Sequence, residues 1–322
     1  MDDEPLFKGF RHDFLVDDKI KQEVPFPSLK KKRQTELAPV KYNDGLNIDY
    51  LNYSMQLSGS RKFPIFTASN IDGKLFKAAP RPKSWRIDER VKQYQWGKDL
   101  YEAEKSDFDK GHMTRREDVQ WGETLDLAKK AAYSTFYYTN AVPQHKDLNQ
   151  EIWKNLEDYI LHAETTKRSM KVCVFTGPVL SNDDPEFVTA VNGEKIKLPT
   201  IFWKVVIYPG KDGKLHRVGF LMSQKKLLTE KGIIRPSFKA APAAGEKVFT
   251  EFDDAETYQV NISLIERLTD LKMPKAVVSY KDDRSRKLVL EEIEVKPEVK
   301  PEFTPANLPK QRPGYTIKNI VL

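Results

Sequence analysis

The chain has 322 residues, enough for one large core or two modest domains. Charged residues make up 31%, hydrophobic residues 39%, and the formal net charge is +7, so a folded protein with a cation-rich surface is expected, suited to nucleic acid, acidic lipid or an acidic protein. The single cysteine, Cys173, excludes an intramolecular disulfide, no apolar run reaches transmembrane length, and Met1-Asp2-Asp3-Glu4 lacks the basic-then-apolar order of a secretion signal.

Residues 1–44 read as a basic N-terminal arm, in which short apolar pieces such as Phe14-Leu15-Val16 alternate with charge and proline. Lys30-Lys31-Lys32-Arg33 is a cation run that either holds phosphate or forms a solvated face. Ordered structure is expected from near Leu46. Ile48, Tyr50, Tyr53 and Met55 give a partly alternating strand pattern, and Pro64-Ile65-Phe66-Thr67-Ala68 reads as a second strand with its turn at Asn70-Ile71-Asp72-Gly73. Residues 77–100 are basic and loop-rich, with Arg81, Lys83, Trp85, Arg86 and Arg90. The apolar period predicts a helix over 124–137, broken before Thr139-Asn140, and another over 147–163. Lys171-Val172-Cys173-Val174-Phe175 is a predicted strand ended by Thr176-Gly177-Pro178, with Cys173 a buried member. Phe202–Tyr208 and Arg217–Met222 pair as a hairpin across Pro209–Gly213. An Ala-rich linker spans 240–245, and Tyr258 to Leu268 reads as a short strand and then a helix. In the tail, Pro297, Pro301, Pro305, Pro309 and Pro313 favour extended chain, either a docking strap for a partner or an extended surface tail.

The chemistry-bearing residues fall between Asp109 and Glu157. The His112 imidazole can take a proton from water near neutral pH, and Gly111 beside it permits an unusual turn or a close approach. Asp109 orders this turn or influences His112. Asn149, Trp153 and Glu157 are spaced to share one helix face. At a rise of about 1.5 Å per residue the Asn149 and Glu157 Cα atoms stand roughly 12 Å apart, too far to chelate one ion side by side. A direct Asn149 ligand with a water-mediated Glu157, leaning toward the helix N-terminus, fits that spacing. Alternatively both are polar surface residues, and in either case Trp153 and Leu156 pack in the core. Oxygen ligands with retained waters suit Mg²⁺, whereas Zn²⁺ wants the spaced His or Cys cluster that is missing here. There is no P-loop, GxGxxG run or serine-hydrolase elbow.

Asp109-Lys110-Gly111-His112 resembles an Asp-Arg-Gly-His motif. Asn140, Pro143, Gln144, Asn149, Gln150, Trp153, Leu156 and Glu157 match an Asn-x-x-Pro-Gln…Asn-Gln-x-x-Trp-x-x-Leu-Glu block. Together they are similar to the DNA/RNA non-specific endonucleases, the family of the Serratia-type nuclease and of mitochondrial endonuclease G, within the ββα-metal (His-Me finger) nucleases. The resemblance implies an α+β fold whose central antiparallel sheet is flanked by helices. It assigns residues 45–270 to that domain and leaves 271–322 as a C-terminal extension with a proline-rich tail. It implies that His112 is the general base and Asn149 the only direct protein ligand of a hydrated Mg²⁺, with Mn²⁺ able to substitute. Glu157 would hold metal-bound water, Asn140 and Gln144 would shape the site, and Asp109 and Lys110 would flank the base. The implied reaction is phosphodiester hydrolysis in DNA, RNA or both, leaving 5′-phosphate and 3′-hydroxyl ends.

Two positions depart from the family pattern. Lys110 stands in place of arginine and lacks the planar fork that grips phosphate. Leu161 occupies the place, one helical turn after the glutamate, where the family tends to carry arginine. Arg81, Lys83 or Arg86 is expected to supply an upstream phosphate contact, with Arg115 and Arg116 as further substrate-facing cations. The alternative is a nucleic-acid-binding protein on this scaffold without useful catalysis. A homodimer mate or regulatory protein is the expected partner of the arm or tail, and no membrane association is expected. With no export signal, a restrained cytoplasmic bacterial enzyme, such as a defence effector, is the expectation; a removed leader would instead make it secreted or periplasmic.

Overall fold

The computed structural model describes residues 8–42, 45–146, 153–166, 169–235, 256–295 and 312–322. Its strands in chain order are β1 (Ser28–Leu29), β2 (Ile48–Tyr50), β3 (Tyr53–Leu57), β4 (Pro64–Asp72), β5 (Asp109–His112), β6 (Ala141–Gln144), β7 (Lys171–Pro178), β8 (Ile201–Pro209), β9 (Leu215–Ser223), β10 (Thr257–Val260), β11 (Leu271–Lys272), β12 (Val277–Val278), β13 (Arg286–Lys287), β14 (Leu290–Val295) and β15 (Arg312–Ile317). Among the described residues a nine-stranded sheet runs β13-β10-β9-β8-β7-β4-β3-β2, with β12 also on β9. Its ladders are antiparallel except for β12 on β9. This is the expected α+β arrangement.

The middle of the sheet is covered on both faces. Every residue of β4 is buried, and so are the first seven of β8, which explains the nearly unbroken apolar run around Trp203. Polar members of β4 find partners across the ladder: Thr67 Oγ1 donates to the Thr176 carbonyl at 3.4 Å and Ser69 Oγ to that of Val174 at 3.2 Å. The β8–β9 hairpin is longer than expected, in register from Ile201 opposite Ser223 to Pro209 opposite Leu215. Strand β7 also continues through Thr176-Gly177-Pro178. A Cβ on Gly177 would stand 2.6 Å from the Ile65 carbonyl oxygen, so glycine here permits close packing and does not stop the strand.

Three sequence expectations need correction. Ile48–Met55 is not one strand, because the chain reverses at Leu51-Asn52. Asn52 takes a left-handed φ of 71°, which asparagine tolerates, and its amide donates to the Val119 and Trp121 carbonyls. Asn70, Ile71 and Asp72 belong to β4 and pair with β7, and the turn begins only at Gly73. Ordered structure also begins well before Leu46. Phe10, Phe14, Leu15, Ile20 and Val24 are buried in the main core, and the Phe10 ring lies 5.5 Å from that of Phe175 on β7. The cation run is divided between roles: Lys30 pairs with Asp270 at 3.1 Å, and buried Arg33 donates to the Thr269 and Leu180 carbonyls and pairs with Glu36. Arg33 therefore ties the N-terminal segment to the main body and has no free fork for phosphate.

The predicted helices largely appear. Leu125–Ser134 is capped by Thr124, which accepts from Leu127 N, and buries Ala128, Ala131 and Ala132, small side chains that allow close packing. Ile262–Thr269 follows β10, with Asn261 as its cap. Of the helix expected over 147–163, residues 147–152 lie outside the described residues. Trp153–Asp158 is α-helical and continues as a π-helix over Tyr159–Thr166. The 240–245 linker, Pro297, Pro301, Pro305 and Pro309 also lie outside them, while Pro313 pairs with Glu294 across the β14–β15 ladder.

Candidate active site

Strands β5 and β6 form a separate antiparallel ladder, and the helix from Trp153 follows β6, giving the strand–strand–helix order expected of the site. His112 is the last residue of β5 and faces Ala141. Asn140 pins the chain just beyond it. The Asn140 Nδ2 donates to the Thr114 and Thr135 carbonyls at 2.8 and 3.0 Å, its Oδ1 accepts from Thr114 N at 2.8 Å, and its carbonyl accepts from Met113 N at 2.9 Å. Asparagine suits this position because one amide supplies both donors and an acceptor.

Aromatic rings fix the imidazole. Trp85 lies 4.6 Å from His112 between ring centroids, and Phe136 meets it edge-on at 4.8 Å. Trp85 is carried there by a short backbone bridge, in which Arg86 N donates to the Phe136 carbonyl and Tyr138 N to that of Arg86. His112 as a whole is half-buried, and its ring Nε2 is sealed from solvent and has no hydrogen-bond partner among the described residues. Burial pushes the ring's pKa down to about 3. The charges of Arg81, Arg116 and Arg115 add to this, and a hydrogen bond to the Lys110 backbone opposes it. The imidazole is therefore neutral around pH 7, the form that can accept a proton.

Beneath His112, Gly111 gives room to Gln144. A Cβ at Gly111 would stand 2.0 Å from Gln144 Oε1. Gln144 is fully buried, and neither side-chain amide atom has a hydrogen-bond partner among the described residues.

A second group of side chains surrounds Glu157. Lys204, only 1% exposed, reaches out of β8 to place Nζ 3.3 Å from Glu157 Oε1 and donates to Thr176 Oγ1 at 3.0 Å. Arg115 approaches Glu157 Oε2 at 3.8 Å and also pairs with Glu117 at 2.6 Å and Asp158 at 2.5 Å. Asp118 is buried close by; its burial raises the carboxyl pKa and Lys204 and Arg115 oppose that rise. Glu157 Oε1 and Asp118 Oδ1 are sealed acceptors without a hydrogen-bond partner among the described residues. Such atoms in a native interior call for water or an ion, and carboxylate oxygens fit a hydrated divalent cation. Among the described residues no group of three or more His, Cys, Asp or Glu is arranged to hold a metal.

The structure separates the residues singled out in the sequence. Asp109 and Lys110 lie on β5, with Lys110 Nζ 5.5 Å from the Tyr101 ring centre. Asn149 and Gln150 lie outside the described residues. Arg81 is exposed, its guanidinium 5.5 Å from the Phe136 ring centre, and it depresses the His112 pKa more than any other named charge. Lys83 is exposed. Arg86 is occupied with the Tyr133 carbonyl at 2.9 Å and the Tyr137 ring at 4.3 Å. Arg115 and Arg116 are engaged within the protein: Arg116 pairs with Glu117 at 2.7 Å and donates to the Ala79 carbonyl and to Gln120. Leu161 is fully buried in the main core. Lys204 and Asp118 were missed. The signal for Lys204 was a lysine inside the apolar run Phe202–Ile207, where an unpaired charge would not be tolerated.

A family model described as DNA/RNA non-specific endonuclease matches residues 34–279. The uncharacterized protein y4fB of Sinorhizobium fredii is 33% identical over 230 residues, covering 68% of this chain and 33% of that protein. Mitochondrial endonuclease G of Bos taurus is 31% identical over 123 residues, covering 36% of this chain and 38% of that protein. The chain thus spans well under half the length of these curated relatives. Among solved structures, the EndoG/EndoGI complex, described as showing the mechanism of EndoG inhibition, matches with a TM-score of 0.50 at 19% identity, covering 76% of this chain and 91% of that one.

Proposed function

This chain belongs to the DNA/RNA non-specific endonuclease family, and on that premise we propose that it is a divalent-metal-dependent endonuclease, largely indifferent to sequence, that hydrolyses phosphodiester bonds of DNA, RNA or both. The observation that carries this reading is His112: a neutral imidazole, braced by Trp85 and Phe136 and within the field of Arg81, Arg116 and Arg115, at the end of a strand that Asn140 pins.

In this reading the His112 imidazole takes the proton of the attacking water. Arg81, exposed beside the ring, contacts substrate phosphate, and Lys110 adds a weaker point charge. Such backbone contacts position a strand without reading its bases, which suits a substrate range of both DNA and RNA. Glu157 would hold a hydrated Mg²⁺ or Mn²⁺ through water, with Asn149 as its direct protein ligand. When bound, that ion would offset charge on the phosphate and on the departing 3′ oxygen. Asn140 keeps the β5 end in register, and Trp85 and Phe136 limit rotation of the ring. The products would carry 5′-phosphate and 3′-hydroxyl ends.

The test is cleavage of plasmid DNA, single-stranded DNA and RNA with Mg²⁺, alongside EDTA and folded His112→Ala. Cleavage lost in both controls is expected. Wild-type turnover by His112→Ala would remove the general-base assignment, and Mg²⁺-independent binding without cutting by the wild type would leave a nucleic-acid-binding protein.

A further inference from the structure

Lys204 is a charged residue in the middle of a nine-stranded sheet, 1% exposed, with Trp203 and Val205 beside it in β8 and facing the opposite side by strand alternation. Burial of an ammonium is unfavourable and is maintained only with well-placed partners. Lys204 has them. Thr176, its register partner on β7, accepts from Nζ at 3.0 Å, and Glu157 Oε1 stands at 3.3 Å. The contact to Oε1 is an ion pair without hydrogen-bond alignment, so that oxygen has no hydrogen-bond donor among the described residues. Arg115 stands 3.8 Å from the other carboxylate oxygen. Glu157 is therefore held between a cation from the sheet and a cation from the segment after β5. Leu161, sunk in the core, adds no charge from the helix itself.

We propose that Lys204 is a positioning residue for the nuclease reaction, holding the Glu157 carboxylate oriented from the sheet side while itself touching neither substrate nor metal. This rests on the nuclease reading given above. Thr176 is the third member, since its hydroxyl fixes the direction in which the ammonium points.

The test is a cycle of Lys204→Met, Glu157→Gln and the double variant, with Lys204→Arg as the conservative replacement. Because Lys204 is sealed from substrate, Lys204→Met is expected to lower kcat about tenfold or more and leave KM for DNA within about twofold, and Lys204→Arg to recover part of kcat. A raised KM with unchanged kcat would overturn the proposal. Mn²⁺ binding without nucleic acid supplies a readout independent of turnover. The Lys204→Met change should alter the Mn²⁺ Kd about fivefold or more when Glu157 is present and less than about twofold when Gln replaces it. Equal shifts in both backgrounds would mean that Lys204 acts on the ion directly, and no shift in either would mean that it does not act at all; both overturn the proposal. The double variant replaces a buried ion pair by neutral side chains, so it provides a folded comparison if Lys204→Met alone does not fold. A wild type that binds Mn²⁺ but cuts no nucleic acid would remove the nuclease reading and leave the Lys204–Glu157 coupling measurable.

Discussion

The depressed basicity of His112 makes folding stability depend on acid in a calculable way. Its folded pKa is about 3, against an ordinary value of 6.5. Between those values the unfolded chain takes up a proton that the folded ring refuses, so stability from this residue is present above pH 6.5 and falls as the pH drops below it. The slope approaches about 1.36 kcal/mol per pH unit, and integrated from pH 7 to pH 5 the loss is about 2 kcal/mol. Replacing His112 by Gln removes the titration, so urea unfolding of His112→Gln should lose about 2 kcal/mol less than wild type across that interval. Comparing each protein with itself at two pH values cancels the cost of the substitution. Proton NMR of the imidazole gives a direct check, with the ring remaining neutral at pH 5. A ring that titrates near pH 6.5, with equal acid sensitivity in the two proteins, would show that burial and Arg81 do not govern its protonation.

Arg81→Ala should weaken binding of DNA to the metal-free protein and reduce the salt slope of that binding by about 1, whereas Arg86→Ala, whose guanidinium is engaged by Tyr133 and Tyr137, should leave the slope alone; the opposite ranking in salt titrations would reverse the assignment. Asn140→Ala removes three side-chain hydrogen bonds around Thr114 and Thr135 and should destabilise by about 2–4 kcal/mol in urea unfolding, with a change below about 0.5 kcal/mol counting against the pin. Gly111→Ala should cost about 1–3 kcal/mol through overlap with Gln144, and Gln144→Ala should relieve part of it; simple additivity of the two in thermal unfolding would contradict the overlap.

Much of the candidate site could be read along the chain because its residue types crowd into a short window. His112, Asn140, Gln144 and Glu157 carry acid–base or amide chemistry, and they fall at the end of β5, just before β6, on β6 and on the following helix. That Arg86 is engaged while Arg81 and Lys83 stand exposed was not legible, since it depends on where the Tyr133 carbonyl and the Tyr137 ring lie. Arg115 and Arg116 read as substrate-facing cations for the same reason: sequence shows a charge but not its partner. Lys204 comes to Glu157 from a remote strand, a meeting that only the sheet order creates. The hairpin at Asn52 lacked a glycine or proline to mark it. The N-terminal phenylalanines misled differently, because single side chains dropping onto a sheet leave no period to detect.

That last feature bears on where a minimal fragment can begin. The family match starts at residue 34, and a fragment cut there would lose Phe10, Phe14, Leu15, Ile20 and Val24 from the interior. At about 1.5–3 kcal/mol for each such side chain, the loss would approach the roughly 5–15 kcal/mol net stability of a typical domain. It would also bare the Phe175 ring on β7 that Phe10 covers. A shortened protein of this kind would be expected to aggregate on expression, so silence from it in a cleavage assay would say nothing about the chemistry at His112.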